Sequence, residues 1–166
     1  MSPELDRKLC EKYPEIFANR NAPVNETAMC WGFDVGDGWY PLIDMVCARL
    51  MSRVNMLRYQ CAEWYEGEKL EKAKQDLAEA EKAIPVASQV KEKFGGLRFY
   101  VESATDEQYN YIDFIESMSY RVCEDCGTMK DTMTYSCGWM RTLCPDHADQ
   151  QYGRDNAEHF RKTRCR

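Results

Sequence analysis

The 166-residue chain is 44% apolar and 30% charged, with a net charge of −6. That composition excludes a disordered chain and gives no general attraction for nucleic acid or anionic membrane. Nine cysteines, an odd number with no signal-peptide-like apolar run before them, point to a reducing cytoplasm rather than a disulfide framework. No stretch approaches the roughly 18 apolar residues that cross a bilayer, so no membrane partner is expected.

Ser2-Pro3-Glu4 reads as a helix start, with a hydroxyl cap, proline in the first turn and an acid at the positive helix end. Leu5, Leu9 and Cys10 keep helical spacing until Pro14 stops it, and Ile16 and Phe17 dock the helix on the body. Residues 19–26 form a loop. Ala28 to Phe33 is short, apolar and aromatic, which predicts a strand. It runs into a Gly36-Asp37-Gly38 turn flanked by Trp31 and Trp39. Two readings stand: a tight turn whose aromatics cover a small core, or a loop whose glycines admit a ligand. Asp34 and Asp37 lack the spaced oxygen ligands of a calcium loop.

Pro41 opens a long helix along Leu42, Val46, Leu50, Val54, Leu57, Cys61 and Trp64. A second helical stretch, from Glu68 to Ala83, carries Leu70, Ala73, Leu77, Ala80 and Ile84 as a narrow stripe, like a coiled-coil seam. Residues 41–84 are therefore a long helix or helical hairpin, whose seam packs on its own domain or self-associates. Next, Leu97, Phe99 and Val101 alternate as a strand behind Gly95-Gly96. Lys91, Lys93 and Arg98 make a basic grouping in an acidic region, although no phosphate-loop pattern accompanies it. Trp31, Asp34, Asp37, Trp39, Lys91, Lys93 and Arg98 are the candidate ligand-binding residues of the two glycine loops. Thr105-Asp106-Glu107-Gln108 fits a capping box, and the helix it starts leads directly to Cys123.

Cys123 and Cys126 are two residues apart, and Cys144 and His147 repeat that gap after seventeen intervening residues. Two short-spaced pairs at this separation predict a tetrahedral zinc site. Four protein ligands close the tetrahedron, so the zinc is expected to be structural. Cys137 is a competing ligand outside the paired spacing. Residues 133–143 are hairpin-like around Gly138, with irregular pairing expected, and Cys144-Pro145 opens a helix. Knuckle, hairpin and helix start is the order of treble-clef zinc fingers, which this segment resembles. The expected organisation is α+β: a body over 1–120, a zinc finger over 121–152 packed on it, and a basic tail over 153–166. Residues 121–166 hold eight Lys and Arg against seven Asp and Glu, so the acid excess lies in the body.

Cys30-Trp31-Gly32-Phe33 with Gly36-Asp37-Gly38-Trp39, the run from Val90 to Tyr100 with its Lys-Phe-Gly-Gly-Leu-Arg-Phe-Tyr, and the zinc pairs with Gly138 to Cys144 carry a resemblance over most of the chain. Together they resemble a family of small uncharacterised proteins encoded by tailed bacteriophages and prophages. The resemblance implies a setting, the cytoplasm of a bacterial host, and no activity. The two histidines, one of them spent on metal, and the absence of an evident base beside any Ser or Cys argue for a binding module rather than an enzyme. Its expected partner is a host protein or small ligand, with counter-defence as one use. The alternatives are nucleic-acid binding through the finger and basic tail, and an enzyme with a pocket between the 34–39 and 91–98 loops.

Overall fold

The computed structural model describes residues 1–163, without the side chains of Cys137 and residues 161–163. The fold is α+β. Helix α1 (Pro3–Lys12) precedes the two-residue strand β1 (Phe33–Asp34), then the long helix α2 (Tyr40–Glu63) and helix α3 (Gly67–Lys82). Strands β2 (Ala87–Lys93) and β3 (Gly96–Val101) and helix α4 (Asp106–Ser119) complete the body. A second unit follows, built from the hairpin β4 (Met133–Cys137) and β5 (Trp139–Leu143) and helices α5 (Pro145–Tyr152) and α6 (Arg154–Thr163).

The period of α2 is the period of its burial: Leu42, Val46, Leu50, Val54 and Leu57 all face the core. The stripe on α3 lies against α2, with Ala73 and Ala80 buried and Leu77 and Ile84 packed on the core. The two helices thus form a hairpin that turns at Gly67, whose φ of +56° suits glycine. The capping box at Thr105 is present in both halves, the hydroxyl accepting from Gln108 N–H and the Gln108 amide oxygen from Thr105 N–H. At α1, by contrast, Ser2 is the cap residue but its hydroxyl makes no capping bond. Its N–H donates instead to Asp37 Oδ1 at 2.6 Å.

The body sheet has the order β1-β2-β3, with β1 parallel to β2 and β2 antiparallel to β3. Val90, Leu97 and Phe99 point into the core, while Lys91, Lys93, Arg98 and Tyr100 alternate onto the outer face. Both open edges are covered by other groups. On β3, Ser119 Oγ accepts Leu97 N–H at 2.8 Å and Glu116 Oε1 accepts Phe99 N–H at 2.8 Å. On β1, the Met1 amino group donates to the carbonyls of Phe33 and Val35.

Three expectations are corrected. Ala28–Trp31 is a 3-10 turn, not a strand, because Thr27 Oγ1 accepts Met29 N–H and closes the backbone locally before extended structure begins at Phe33. The β4–β5 pairing is regular from Met133↔Leu143 to Cys137↔Trp139, since Gly138 at φ +81° turns the chain without a bulge. The tail is not all tail. Residues 154–163 form α6, whose Ala157 is buried in the small core that holds Cys123, Tyr135, Leu143, Cys144 and Ala148, and whose Phe160 packs against that core. Of the basic residues expected there, Arg154 sits near Asp149, the side chains of Arg161 and Lys162 lie outside the description, and Arg164 and Arg166 lie outside the described residues.

Two hydroxyl deletions separate a surface cap from a buried one. Thr105→Ala is expected to cost about 1 kcal/mol. Ser119→Ala leaves the buried Leu97 N–H without its acceptor and is expected to cost about 1–3 kcal/mol. Urea unfolding of both variants beside the parent checks the order.

Candidate metal centre

The turn after α4 supplies two of four side chains that could hold a metal ion. Cys123 N–H donates to Thr128 O and Gly127 N–H to Cys123 O, both at 2.8 Å, which curls residues 123–128 into a tight loop. Gly127 holds a φ of +76°, a conformation that costs glycine nothing. Cys144 caps α5 with Pro145 in the first turn, and His147 follows one turn on, facing the loop. The N-terminal end of α5 lies by the sulfur atoms.

The four ligand atoms lie within 4.8 Å of one another. Cys123 Sγ is 3.6 Å and Cys144 Sγ 3.2 Å from His147 Nδ1, and Cys126 Sγ is 3.9 Å from Cys144 Sγ. A tetrahedron with bonds of about 2.3 Å to sulfur and about 2.05 Å to nitrogen has edges of about 3.5–3.8 Å. The donor set therefore fits a tetrahedral metal ion at its centre, bound through Nδ1 of the imidazole. Cys123 and Cys144 are buried, His147 is half-buried and Cys126 reaches the surface. Desolvation pushes the Cys126 thiol up to about 11, and the crowding of Cys123 and Cys144 adds to it. A coordinated divalent cation reverses that balance by stabilising the thiolates. The side chain of Cys137 lies outside the described residues.

The decisive residue near the metal was not legible in the ligand spacing. Glu124, between the first two cysteines, is 5% exposed and bonds in four directions. Its N–H donates to Thr142 O and its carbonyl accepts Gly38 N–H, at 2.9 and 2.7 Å. Its carboxylate accepts Gly36 N–H at 3.1 Å and Arg141 Nε at 3.1 Å. Burial raises its carboxyl above the usual range, opposed chiefly by the Arg141 guanidinium. Arg141 also holds Asp125 Oδ1 at 2.6 Å, so one guanidinium clamps both residues between the cysteine ligands. The only sequence hint is the acidic pair inside the Cys-Glu-Asp-Cys loop with a single arginine on the strand that precedes Cys144.

The two glycine loops meet this unit. A Cβ on Gly38 would overlap Cys123 O and Gly127 N, and one on Gly36 would overlap Glu124 O. Gly95 lies against the Thr134 methyl, and its carbonyl accepts the Thr142 hydroxyl at 2.5 Å. The glycines thus admit another part of the chain. Trp39 is fully buried, its indole donating to Val122 O at 2.8 Å, whereas Trp31 is 78% exposed. Asp37 is committed to Ser2 N–H. Asp34 stands opposite Lys91 in the β1–β2 register. Arg98 donates to Leu97 O and Tyr120 Oη and lies 3.6 Å from Glu116. Lys91 and Lys93 extend over the rings of Tyr100 and Phe94. Of the seven candidate ligand residues, the sheet brings together Asp34, Lys91, Lys93 and Arg98, while the two tryptophans and Asp37 go elsewhere. Two open cavities, of about 500 and 310 Å³, lie along α2, against Pro14 and Arg58 in one case and Tyr65 and Lys72 in the other.

Gly38→Ala forces backbone against backbone and is expected to cost about 3 kcal/mol or more, with metal released at lower denaturant. Gly138→Ala meets open space and is expected to cost about 1 kcal/mol, from its positive φ alone. Denaturant titrations with a colorimetric metal indicator read both quantities at once. The chain matches no protein-family model, no curated protein and no solved structure.

Proposed function

We propose that the chain is a zinc-stabilised accessory protein of the bacteriophage or prophage type that works by binding a host protein or small ligand rather than by catalysis. The observation that carries this is the closed Cys123, Cys126, Cys144 and His147 cluster. Three sulfurs and one imidazole suit zinc, and a full set of four protein ligands gives a structural rather than a hydrolytic site. Two of the polar groups that a pocket between the glycine loops would have used are committed to the fold. Asp37 holds Ser2 and Arg98 holds Tyr120 and Glu116, which favours the binding reading over an enzymatic one. Large aromatic side chains remain on the surface, among them Trp31, Trp64, Phe94, Phe114 and Trp139, and exposed aromatics are the side chains binding surfaces favour. The bacteriophage setting rests on the resemblance of the sequence motifs, and the cytoplasm of a bacterial host follows from it.

Zinc binding of this kind contributes on the order of 10–16 kcal/mol, comparable to the whole stability of a domain. Native mass spectrometry is expected to find one zinc per chain, and Cys126→Ser to lose it. Chelation is expected to expose the amides of residues 133–143 to hydrogen exchange, and those of Gly36 and Gly38 with them. Zinc-free protein with the parent's exchange pattern would overturn the structural role. Affinity capture from bacterial lysate, by zinc-loaded against chelated protein, tests the binding role, and turnover with no retained partner would sink it.

A further inference from the structure

Two parts of the surface carry exposed aromatic rings. At the β2–β3 turn Phe94 is strained at φ +56°, and the cations near it are met by the fold, with Asp34 opposite Lys91 and Glu116 beside Arg98. On α2 the situation differs. Met45, Met56 and Tyr59 are 52%, 52% and 54% exposed, and Trp64, which caps the helix, is 63% exposed. At about 3.6 residues per turn, Met45, Arg49, Ser52, Met56, Tyr59 and Glu63 fall in one arc about 80° wide, opposite the buried Ile43, Leu50 and Val54. The Trp64 ring joins that arc, because it meets the Tyr59 ring at 5.2 Å with the planes at 73°. The neighbouring helices stop at its sides. Lys12 and Tyr13 of α1 reach α2 at Asp44, Tyr111 of α4 at Arg49, and Glu81 of α3 at Arg58.

The charges of this face match its own inverse. Arg49 lies 3.6 Å from Glu107, and Arg58 pairs with Glu15 and Glu81, whereas Arg53 and Glu63 make no ion pair among the described residues. Arg53, at the edge of the arc, and Glu63 stand equally far from Arg58 along the helix, one before it and one after. A second α2 laid antiparallel across the face at that level brings the Arg53 of each copy to the Glu63 of the other. Ser52 and Trp64 are also equidistant from Arg58, so the same register sets the largest side chain of the face against the smallest. The two Tyr59 rings then fall beside the axis. A parallel copy would instead set Arg53 against Arg53 and Glu63 against Glu63, which is repulsive. One register satisfies charge and shape together, and both halves of the match come from the same surface, as a two-fold contact requires.

We propose that this face of α2 is a self-association surface, on which two copies of the chain pair antiparallel through Met56, Tyr59 and Trp64, with Arg53–Glu63 ion pairs between them. The stripe on α3 takes no part, being packed on α2. Self-association is independent of the binding-module reading and adds a second contact to it. A single helix face is small beside the interfaces of permanent dimers, so the dissociation constant is expected in the micromolar range.

The test is sedimentation velocity of the full zinc-loaded chain over a concentration series. A monomer–dimer equilibrium is expected, with a blue shift of tryptophan emission on association that Trp64→Phe reduces. Arg53→Glu and Glu63→Arg should each weaken association about tenfold or more, since each sets like charges together twice per dimer. Mixed in equal amounts, the two variants should associate as well as the parent, because one then offers acids at both positions and the other arginines. Both substitutions are on the surface, so the melting temperature of each, read where the parent is monomeric, should stay within about 2 °C of it. The proposal is overturned if the parent stays monomeric at millimolar concentration, or if it forms a dimer that neither substitution weakens. It is also overturned if the mixture associates no better than the separate variants. A chain that is monomeric throughout but retains a host protein from lysate overturns this proposal and leaves the binding-module reading standing.

Discussion

The structure depends on one backbone-to-backbone contact, between the Cys123–Gly127 turn and the Gly36–Gly38 segment. Gly38 N–H donates to Glu124 O at 2.7 Å, and a side chain on Gly127 would sit 3.0 Å from Gly38 O. No side chain intervenes on either side, so the contact cannot relax by changing a rotamer. Whatever fixes Cys123 and Cys126 therefore fixes residues 36–38. Those residues feed directly into α2 through Trp39, whose indole is held by Val122 O. The start of the longest helix is thus set by the metal unit more than eighty residues away. A staple that only attached a late segment would leave α2 indifferent to it. Here the body and the metal unit each supply a surface that the other needs to finish folding.

Electrostatics explain why this contact carries Glu124 and Arg141. Three thiolates and an imidazole around a divalent ion would leave a net charge of −1, and Glu124 and Asp125 add two more negative charges in the same turn. Such a concentration in a half-buried place is unfavourable unless hydrogen bonds and a counter-charge meet it. Arg141 provides the counter-charge from β5, and Gly36 N–H provides a further donor. Arginine suits the position because its planar fork reaches two carboxylates at once. The same bonds that neutralise the turn also dock it. Neutralisation and docking are one arrangement, which is why both glycine loops converge on it.

What was legible in the sequence is what depends on neighbours along the chain. The metal ligands were, because two-residue spacing is itself the local geometry. The stripes on α2 and α3 and the capping box at Thr105 were, for the same reason. Glycine's purpose was not. Gly36, Gly38 and Gly95 announce that something approaches closely, but a ligand and a distant strand demand the same small residue. Trp31 and Trp39 flank one turn and look equivalent, yet one is exposed and the other fully buried, which only the position of Val122 decides. Strand β2 was hidden because a register shift between Ala87 and Gln89 breaks its alternation. Helix α6 was hidden because its apolar contact rests on little more than Ala157 and Phe160 within a charged segment.

The strain at Phe94 ties the surface to the metal. A turn in free solution would relax a phenylalanine out of positive φ, and strain of this kind persists only where the surroundings leave no alternative. Those surroundings are specific. Gly95 N–H is taken by Glu92, Gly95 O by the Thr142 hydroxyl, and the Gly95 α-carbon rests against Thr134. Thr134 and Thr142 face each other across β4 and β5 and bond at 2.8 Å, and Cys144 follows β5 directly into the metal cluster. Order therefore passes from the ligands to the hairpin, from the hairpin to Gly95, and from Gly95 to the ring of Phe94. Phe94 is thus held by the strand pair that leads into the Cys/His cluster, and a chain in which that pair came apart would lose the means of holding Phe94 where it is.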